Sequence, residues 1–216
     1  MSLPSIRQGR VLAIECATEA CSVALFDDGA LVAGEFRQLG RGHAEALVPM
    51  IAALPGSGRA DVIVSGLGPG SFTGVRIALA AARALALAWE VQALGYPTLA
   101  LIAAMAREGQ EREVLAATTG GHGEWFVQGF GADGTALAPL ASLSPEAAAR
   151  ETIDLVAGSQ ASALVERRGH GQAMPLWPDA RALMQLGDHH LTADLSPLYG
   201  RAPDARLPGG RLPDAA

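Results

Sequence analysis

The residues best suited to bind a small ligand lie in a glycine-rich segment, 66–74, between a predicted buried strand and a predicted helix. Backbone N–H groups and the helix dipole can hold a phosphate or a carboxylate at such a position. The candidate binding residues are Gly68, Gly70, Ser71, Thr73 and Gly74. The segment lacks the lysine of a Walker loop and the spacing of a dinucleotide fingerprint. The alternative interpretation is that its glycines permit a tight turn and that Thr73 caps the helix.

A second candidate site is the group of acidic and hydroxyl residues that follows the first predicted strand. It comprises Glu15, Thr18 and Glu19, with Glu15 as the candidate group to face magnesium near a phosphate. The alternative is a turn between two strands whose carboxylates are exposed to solvent. One such cluster does not by itself specify a reaction.

Other catalytic and metal-binding patterns are missing from the sequence. The five histidines include no pair spaced three or four residues apart, which argues against a zinc pair on a helix. There is no lysine for Schiff-base chemistry and no Gly-x-Ser-x-Gly nucleophile motif. We therefore predict no catalytic residues and no metal site. Cys16 and Cys21 are expected to be buried thiols in a reducing cytoplasm.

The composition indicates a folded, acidic protein. The 216 residues are 50% hydrophobic, and 16 basic against 22 acidic residues give a net charge of -6, so a large basic surface for nucleic acid is not expected. The most apolar stretch, 77–106, is interrupted by Arg83, Glu90, Gly95 and Pro97, which favours buried elements over a membrane span. We expect a cytoplasmic protein with no membrane association.

The first half of the chain has a regular order of predicted elements. Hydrophobic periodicity and turn residues predict three strands, followed by helices that alternate with two more strands. The predicted strands are 11–16, 21–26, 30–37, 62–66 and 91–94, and the predicted helices are 42–54, 75–89 and 98–107. This order describes a mixed sheet flanked by helices, the ribonuclease H-like half of an actin-type fold.

A smaller second lobe is predicted after the polar stretch 107–113. Strands are predicted at 114–118, 124–130 and 153–157, and helices at 144–150 and 178–186. We therefore expect an α/β protein with two ribonuclease H-like lobes of the actin-like ATPase fold, the second lobe being reduced. The predicted parts are an N-terminal lobe at 1–107, a C-terminal lobe at 108–199 and a mobile tail without apolar periodicity at 200–216.

The outer faces of two first-lobe helices are candidates for a protein interface. If the helix 74–90 packs beside the helix 42–54, the residues left outside the sheet form an apolar patch rimmed by arginine. This predicted docking face comprises His43, Leu47, Arg76, Ala80, Arg83 and Leu87. Such a face suits contact with another chain. The alternative is a solvated face on which the arginine stems cover apolar surface.

The sequence resembles the TsaB (YeaZ) family, a paralogue of TsaD proteins in the superfamily of actin, sugar kinases and heat-shock chaperones. The resemblance rests on residues 11–18, 21–25 and 42–49, and above all on 68–77 with 95–99 after it. Weaker similarity follows at 155–161 and at 197–201.

Two segments depart from the family pattern. The family usually has Asp-Thr-Ser where this chain has Glu15, Cys16 and Ala17, and it usually has Asp-Ala-Arg where this chain has Thr118 and the two residues after it. TsaD-type proteins carry a His-x-x-x-His metal pair that this sequence lacks. That difference agrees with the family picture of a non-catalytic partner of a catalytic paralogue.

The resemblance implies a scaffold for tRNA threonylcarbamoyladenosine synthesis that binds TsaD and then TsaE, with TsaC in the same pathway. tRNA would be contacted only through the complex, and the sequence leaves open whether the chain forms a homodimer when alone. No cofactor would be required, although weak nucleotide binding at the lobe cleft or partner interface fits the fold. Two alternatives are an actin-fold phosphotransferase with ATP between the lobes, and a glycoprotease-like zinc hydrolase, which the missing histidine pair disfavours.

Overall fold

Ten strands and five α-helices make up the part of the chain that the computed structural model describes, residues 3–200. The strands are β1 (Arg10–Glu15), β2 (Ala20–Asp27), β3 (Ala30–Gln38), β4 (Val62–Gly66), β5 (Gln92–Tyr96), β6 (Val114–Thr119), β7 (Trp125–Phe130), β8 (Ala141–Leu143), β9 (Leu155–Ala157) and β10 (Gln172–Met174). The helices are α1 (His43–Ala53), α2 (Phe72–Trp89), α3 (Thr98–Arg107), α4 (Pro145–Ala148) and α5 (Ala161–Arg168).

The strands form two five-stranded mixed sheets with the same internal arrangement. The first sheet has the order β3-β2-β1-β4-β5, and the second has the order β10-β9-β6-β7-β8. In each sheet the first strand along the chain lies at the centre, antiparallel to the next strand and parallel to a later one. The predicted fold of two ribonuclease H-like lobes is therefore confirmed, and the second lobe has the shorter strands.

The helices cover both faces of the first sheet. α1 and α2 contact each other on one face, where Leu47, Met50 and Ile63 belong to one apolar cluster. α3 lies in a second cluster with Val11 and Val64 and also contacts β6, β7 and β9 of the second sheet. Because eight of the ten residues of α3 are buried, this helix forms a common core for both lobes.

After β10 the chain returns to the first sheet. The N–H of Ala180 donates to Ser22 Oγ at 2.9 Å, and the N–H of Leu198 donates to the carbonyl of Leu67 at 2.8 Å. Residues 179–199, named here the return segment, thus complete the first lobe. The strands of the second sheet lie between residues 114 and 174, whereas the return segment packs on the first lobe.

The structure differs from the sequence-based prediction mainly in short elements and helix ends. β8, β10 and α5 are absent from the prediction, and the helix predicted at 178–186 is a 3-10 helix, Ala180–Gln185. α2 begins at Phe72 because Ser71 Oγ accepts the N–H of Gly74 at 3.3 Å, so Ser71 has the capping role predicted for Thr73. The predicted mobile tail lies, apart from its first residue, outside the described residues.

α2 is the one described helix that is long and apolar enough to cross a membrane, judged by length and composition alone. In the structure its residues Val75, Ala78 and Leu79 are buried in the fold. Its apolar composition thus serves partly to cover β4, and the remaining apolar residues lie on its outer face.

Candidate functional site

A cleft of about 770 Å³ opens between the two lobes, next to the ends of β1 and β6. The turn after β1 and the loop before α2 form its first wall, and the loop after β6 forms the opposite wall. The end of the return segment closes one side. The lining residues include Ala17, Thr18, Glu19, Gly70, Ser71, Phe72, Arg76, Thr119, Gly120, Gly121, His122, Phe126, Leu198 and Tyr199.

The predicted binding loop reaches this cleft with two of its five candidate residues. Gly70 and Ser71 line the cleft, whereas Gly68, Thr73 and Gly74 do not. The N–H of Ser71 donates to the Ala17 carbonyl at 2.6 Å, so this donor is already used within the protein. At the start of α2, the N–H groups of Phe72 and Thr73 have no acceptor among the described residues, as expected for a first helical turn.

Close backbone contact explains why two loop positions are glycine. A Cβ atom at Gly70 would lie 1.8 Å from the carbonyl oxygen of Ala17, and one at Gly74 would lie 2.1 Å from that of Cys16. Neither distance is accessible to a real side chain. The loop therefore needs these glycines to pack against the turn after β1, whether or not an anion binds there.

Glu15 lies beneath the loop and not in the cleft. Its carboxylate is fully buried, and it accepts the N–H of Ala17 at 2.7 Å and the hydroxyl of Thr98 at 3.0 Å. Burial raises the pKa of Glu15, and these hydrogen bonds offset part of that rise. For Glu15, the prediction of a carboxylate facing magnesium and the alternative of an exposed carboxylate are both wrong, because its side chain points into the core, whereas the half-buried Glu19 lines the cleft.

The opposite wall is held by side-chain hydrogen bonds. The N–H of Thr119 donates to Ser159 Oγ at 3.1 Å, and Gln160 Nε2 donates to Thr119 Oγ1 at 2.8 Å. Sequence reasoning identified the divergent segment after β6 but missed Ser159 and Gln160. Both residues follow Gly158 directly after the strand β9. This position is the sequence signal that they lie at the same edge of the second sheet as the end of β6. Within residues 3–200 no group of three His, Cys, Asp or Glu side chains could hold a metal ion.

The end of the return segment covers the mouth of the cleft beside α2. The ring of Tyr199 stacks on Phe72, with the ring centroids 5.9 Å apart. The Arg76 guanidinium lies 3.4 Å from the Phe72 centroid and donates to the Tyr199 hydroxyl at 3.0 Å. Arg83 donates to the carbonyl of Leu195 at 3.0 Å. Both arginines of the predicted docking face therefore hold residues of the return segment.

The predicted docking face is exposed on α2 but not on α1. Arg76, Ala80 and Arg83 are exposed, and Leu87 is 82% exposed. The prediction is wrong for His43 and Leu47, which are buried. His43 Nε2 lies 2.9 Å from the Thr18 carbonyl, and Leu47 packs in the core beneath α1.

The rotation of α1 explains this error. Val48, the residue after Leu47, is 63% exposed and lies on the outside of the helix. The outer face of α1 therefore contains Val48 in place of the predicted Leu47. With 3.6 residues per turn, a shift by one residue rotates the exposed face by about 100° around the helix axis.

Comparisons of sequence identify a family. Residues 37–166 match the family model described as "TsaD: tRNA N6-adenosine threonylcarbamoyltransferase". The tRNA threonylcarbamoyladenosine biosynthesis protein TsaB of Escherichia coli is 42% identical over 123 residues, or 54% of this chain and 53% of that protein. The Haemophilus influenzae protein of the same name is 36% identical over 113 residues, or 50% of this chain and 47% of that protein. The chain thus spans about half the length of the curated relatives it matches.

A solved structure extends the similarity along the chain. YeaZ from Pseudomonas aeruginosa has a TM-score of 0.73 and 30% sequence identity, over 89% of this chain and 100% of that chain. The family model matches more than half of the 216 residues. With its two ribonuclease H-like sheets, this chain has the actin-like ATPase fold and belongs to the TsaB (YeaZ) family.

Proposed function

We propose that this chain is a non-catalytic scaffold for tRNA N6-threonylcarbamoyladenosine synthesis and acts by binding a TsaD protein. The observation that carries the proposal is the outer face of α2. Ala80 is exposed between Arg76 and Arg83, and Leu87 is exposed one turn after Arg83. An exposed apolar strip with arginine at its edge has the composition of a protein interface. TsaE is the next partner, and TsaC supplies the activated intermediate in the same cytoplasmic pathway.

Side-chain size on this face favours a helix as the partner element. Ala80, Ala84 and Ala88 are exposed and recur at every fourth position of α2, so a second helix can approach its backbone closely. The net charge of -6 favours a protein partner over direct contact with tRNA. tRNA is therefore bound through the complex.

Replacing Ala80 by Arg tests the interface. A third arginine near Arg76 and Arg83 adds bulk and like charge, so affinity for TsaD should fall about thirtyfold, or roughly 2 kcal/mol. The melting temperature of the isolated chain should stay unchanged, since the site is exposed. Titration calorimetry with TsaD measures the first effect, and Ser162→Arg on the exposed face of α5 is the matched control. Unchanged affinity for TsaD in the Ala80 variant would refute this interface.

The non-catalytic role has its own test. The purified chain should transfer no threonylcarbamoyl group to tRNA unless TsaD is added. Transfer by the chain alone, in an assay with threonylcarbamoyl-AMP and unmodified tRNA, would contradict the scaffold proposal even if the two proteins bind each other.

A nucleotide site in the cleft is the second candidate function. The cleft volume of about 770 Å³ and the N–H group of Phe72, a lining residue with no acceptor among the described residues, favour an anionic ligand there. The buried position of Glu15 removes the predicted magnesium ligand of an actin-fold phosphotransferase. Calorimetric titration with ATP, with and without magnesium, distinguishes the candidates, because tight binding that depends on magnesium would support a phosphotransferase.

A further inference from the structure

Cys16 and Cys21 face each other where the β1–β2 ladder ends. The last paired residues of that ladder are Glu15 and Ser22, so the two cysteines occupy the next cross-strand position. Their Sγ atoms are 3.2 Å apart, and both side chains are fully buried. No role in the proposed function uses these thiols.

We propose that Cys16 and Cys21 form a dithiol site that a hydroperoxide converts into an intrachain disulfide. Residues that oppose each other in an antiparallel pair have Cα atoms about 4.5–5.5 Å apart, within the range that a disulfide spans. The bonded sulfur atoms are about 2.05 Å apart, so the two thiols need to approach by only about 1 Å. This proposal stands independently of the scaffold function.

The reaction consumes one hydroperoxide for each pair of thiols. The Cys21 thiolate attacks the terminal peroxide oxygen, the O–O bond breaks, and the alkoxide leaves and takes a proton to give an alcohol, or water from hydrogen peroxide. The Cys16 sulfur then attacks the sulfenic acid on Cys21, the S–O bond breaks, and water leaves with the proton of Cys16. The two thiols lose two electrons, and the hydroperoxide gains them.

The surroundings favour Cys21 as the residue that attacks first. The hydrogen bond between the two thiols lowers the pKa of Cys21, while the same bond and burial hold the pKa of Cys16 well above its ordinary value. A lower pKa gives Cys21 the larger thiolate fraction. The attacking sulfur is thus the one in β2, beside the edge strand β3.

The cleft gives the oxidant a route to this site. Ala17, Thr18 and Glu19, which connect the two cysteines, line the cleft, so a small movement of this turn admits a molecule as small as hydrogen peroxide. The same turn anchors both outer helices, because the Ala17 carbonyl accepts the Ser71 N–H and the Thr18 carbonyl lies 2.9 Å from His43 Nε2. A disulfide would therefore fix the starting points of α1 and α2 together.

The test uses the full, reduced chain in its native state. It is treated with a small molar excess of hydrogen peroxide and denatured, and the remaining free thiols are alkylated. The mass of the intact chain is then measured by mass spectrometry. We expect a monomer that has lost two hydrogen atoms, carries no alkyl group and regains both thiols with dithiothreitol. A chain that keeps two alkylatable thiols, gains oxygen or crosslinks to a second copy overturns the proposal.

Single variants separate the roles of the two residues. Cys16→Ser, whose hydroxyl can still donate a hydrogen bond to Cys21, should leave a sulfenic acid on Cys21 that a dimedone probe traps, whereas Cys21→Ser should leave Cys16 largely unlabelled under the same treatment. Equal labelling of both variants would overturn the assigned order of attack. If either variant fails to fold, the mass measurement on the unmodified chain still decides whether the disulfide forms.

Discussion

In the first lobe, the loop beside the cleft is fixed by backbone packed on backbone, whereas in the second lobe side-chain hydrogen bonds also hold the corresponding loop. Gly70 lies so close to the turn after β1 that no side chain fits. Across the cleft, Thr119 is bound by Ser159 and Gln160, and a Cβ atom at Gly121 would meet nothing within 4 Å. The second wall has glycines of both kinds, because a Cβ atom at the neighbouring Gly120 would lie 2.6 Å from the carbonyl oxygen of Glu124.

This difference also shows what a glycine-rich loop does and does not indicate. The spacing of glycines before α2 is compatible with phosphate binding, and it is equally required by contact with Ala17 and Cys16. The donors that remain available are those of the first turn of α2.

Replacing Gly70 by Ala should have the largest effect. The new Cβ would lie 1.8 Å from the Ala17 carbonyl oxygen, so the loop or the turn must move, and the free energy of unfolding should fall by about 3 kcal/mol. Gly121→Ala is the matched control and should change it by no more than about 0.5 kcal/mol. Denaturant unfolding of the two variants and the original chain measures both changes in the free energy of unfolding. Equal stability of the two variants would remove the distinction between the walls.

Replacing Arg168 by Ala tests whether one side chain organises the second lobe. Arg168 is the last residue of α5. Its guanidinium donates hydrogen bonds to four backbone carbonyls, those of Glu151, Ile153, Asp154 and His170. Losing these bonds should lower the free energy of unfolding by about 2 kcal/mol. The adjacent Arg167 makes an exposed ion pair with Glu146, and Arg167→Ala should leave the unfolding midpoint unchanged. Similar losses in both variants would contradict the structural role of Arg168.

Replacing Glu15 by Gln should give a smaller effect that depends on pH. The folded pKa of Glu15 is raised by burial, so above the ordinary glutamate pKa the unfolded chain releases this proton before the folded chain does. The stability of the original chain should therefore decline as the pH rises toward the folded pKa, by at most about 1.4 kcal/mol per pH unit. The Gln variant should lack this contribution. Unfolding measured from pH 4 to pH 8 gives the difference, and parallel curves for the two proteins would contradict a raised pKa.

Most of the first lobe is predictable from the sequence because its elements are long and regular. β4 and α3 have the predicted bounds, and the turn between β2 and β3 lies at the predicted Asp-Gly pair. The second lobe is less predictable because the two strands absent from the prediction, β8 and β10, have three residues each. Strands this short show no periodicity and depend on the neighbours that pair with them.

The candidate site is predictable only where local spacing determines it. Gly70 and Ser71 of the predicted loop line the cleft, and the exposed face of α2 follows from helical periodicity. The contact between Arg76 and Tyr199 joins residues 123 positions apart, and no local pattern indicates it. The errors at His43 and Leu47 arise because tertiary packing sets the rotation of α1, and Glu15 is misplaced because a carboxylate is rarely buried this deeply.

The return segment determines when the first lobe can finish folding. Ser22 receives its hydrogen bond from Ala180, a residue 158 positions later in the chain, and β5 pairs at Gly95 with Thr192. During synthesis the first sheet leaves the ribosome well before the return segment has been made. One apolar face of this sheet therefore stays uncovered until the return segment packs on it. The lobe that is made first is therefore completed last, and a chain that stops short of residue 179 exposes the core of the first lobe rather than simply losing the end of the second.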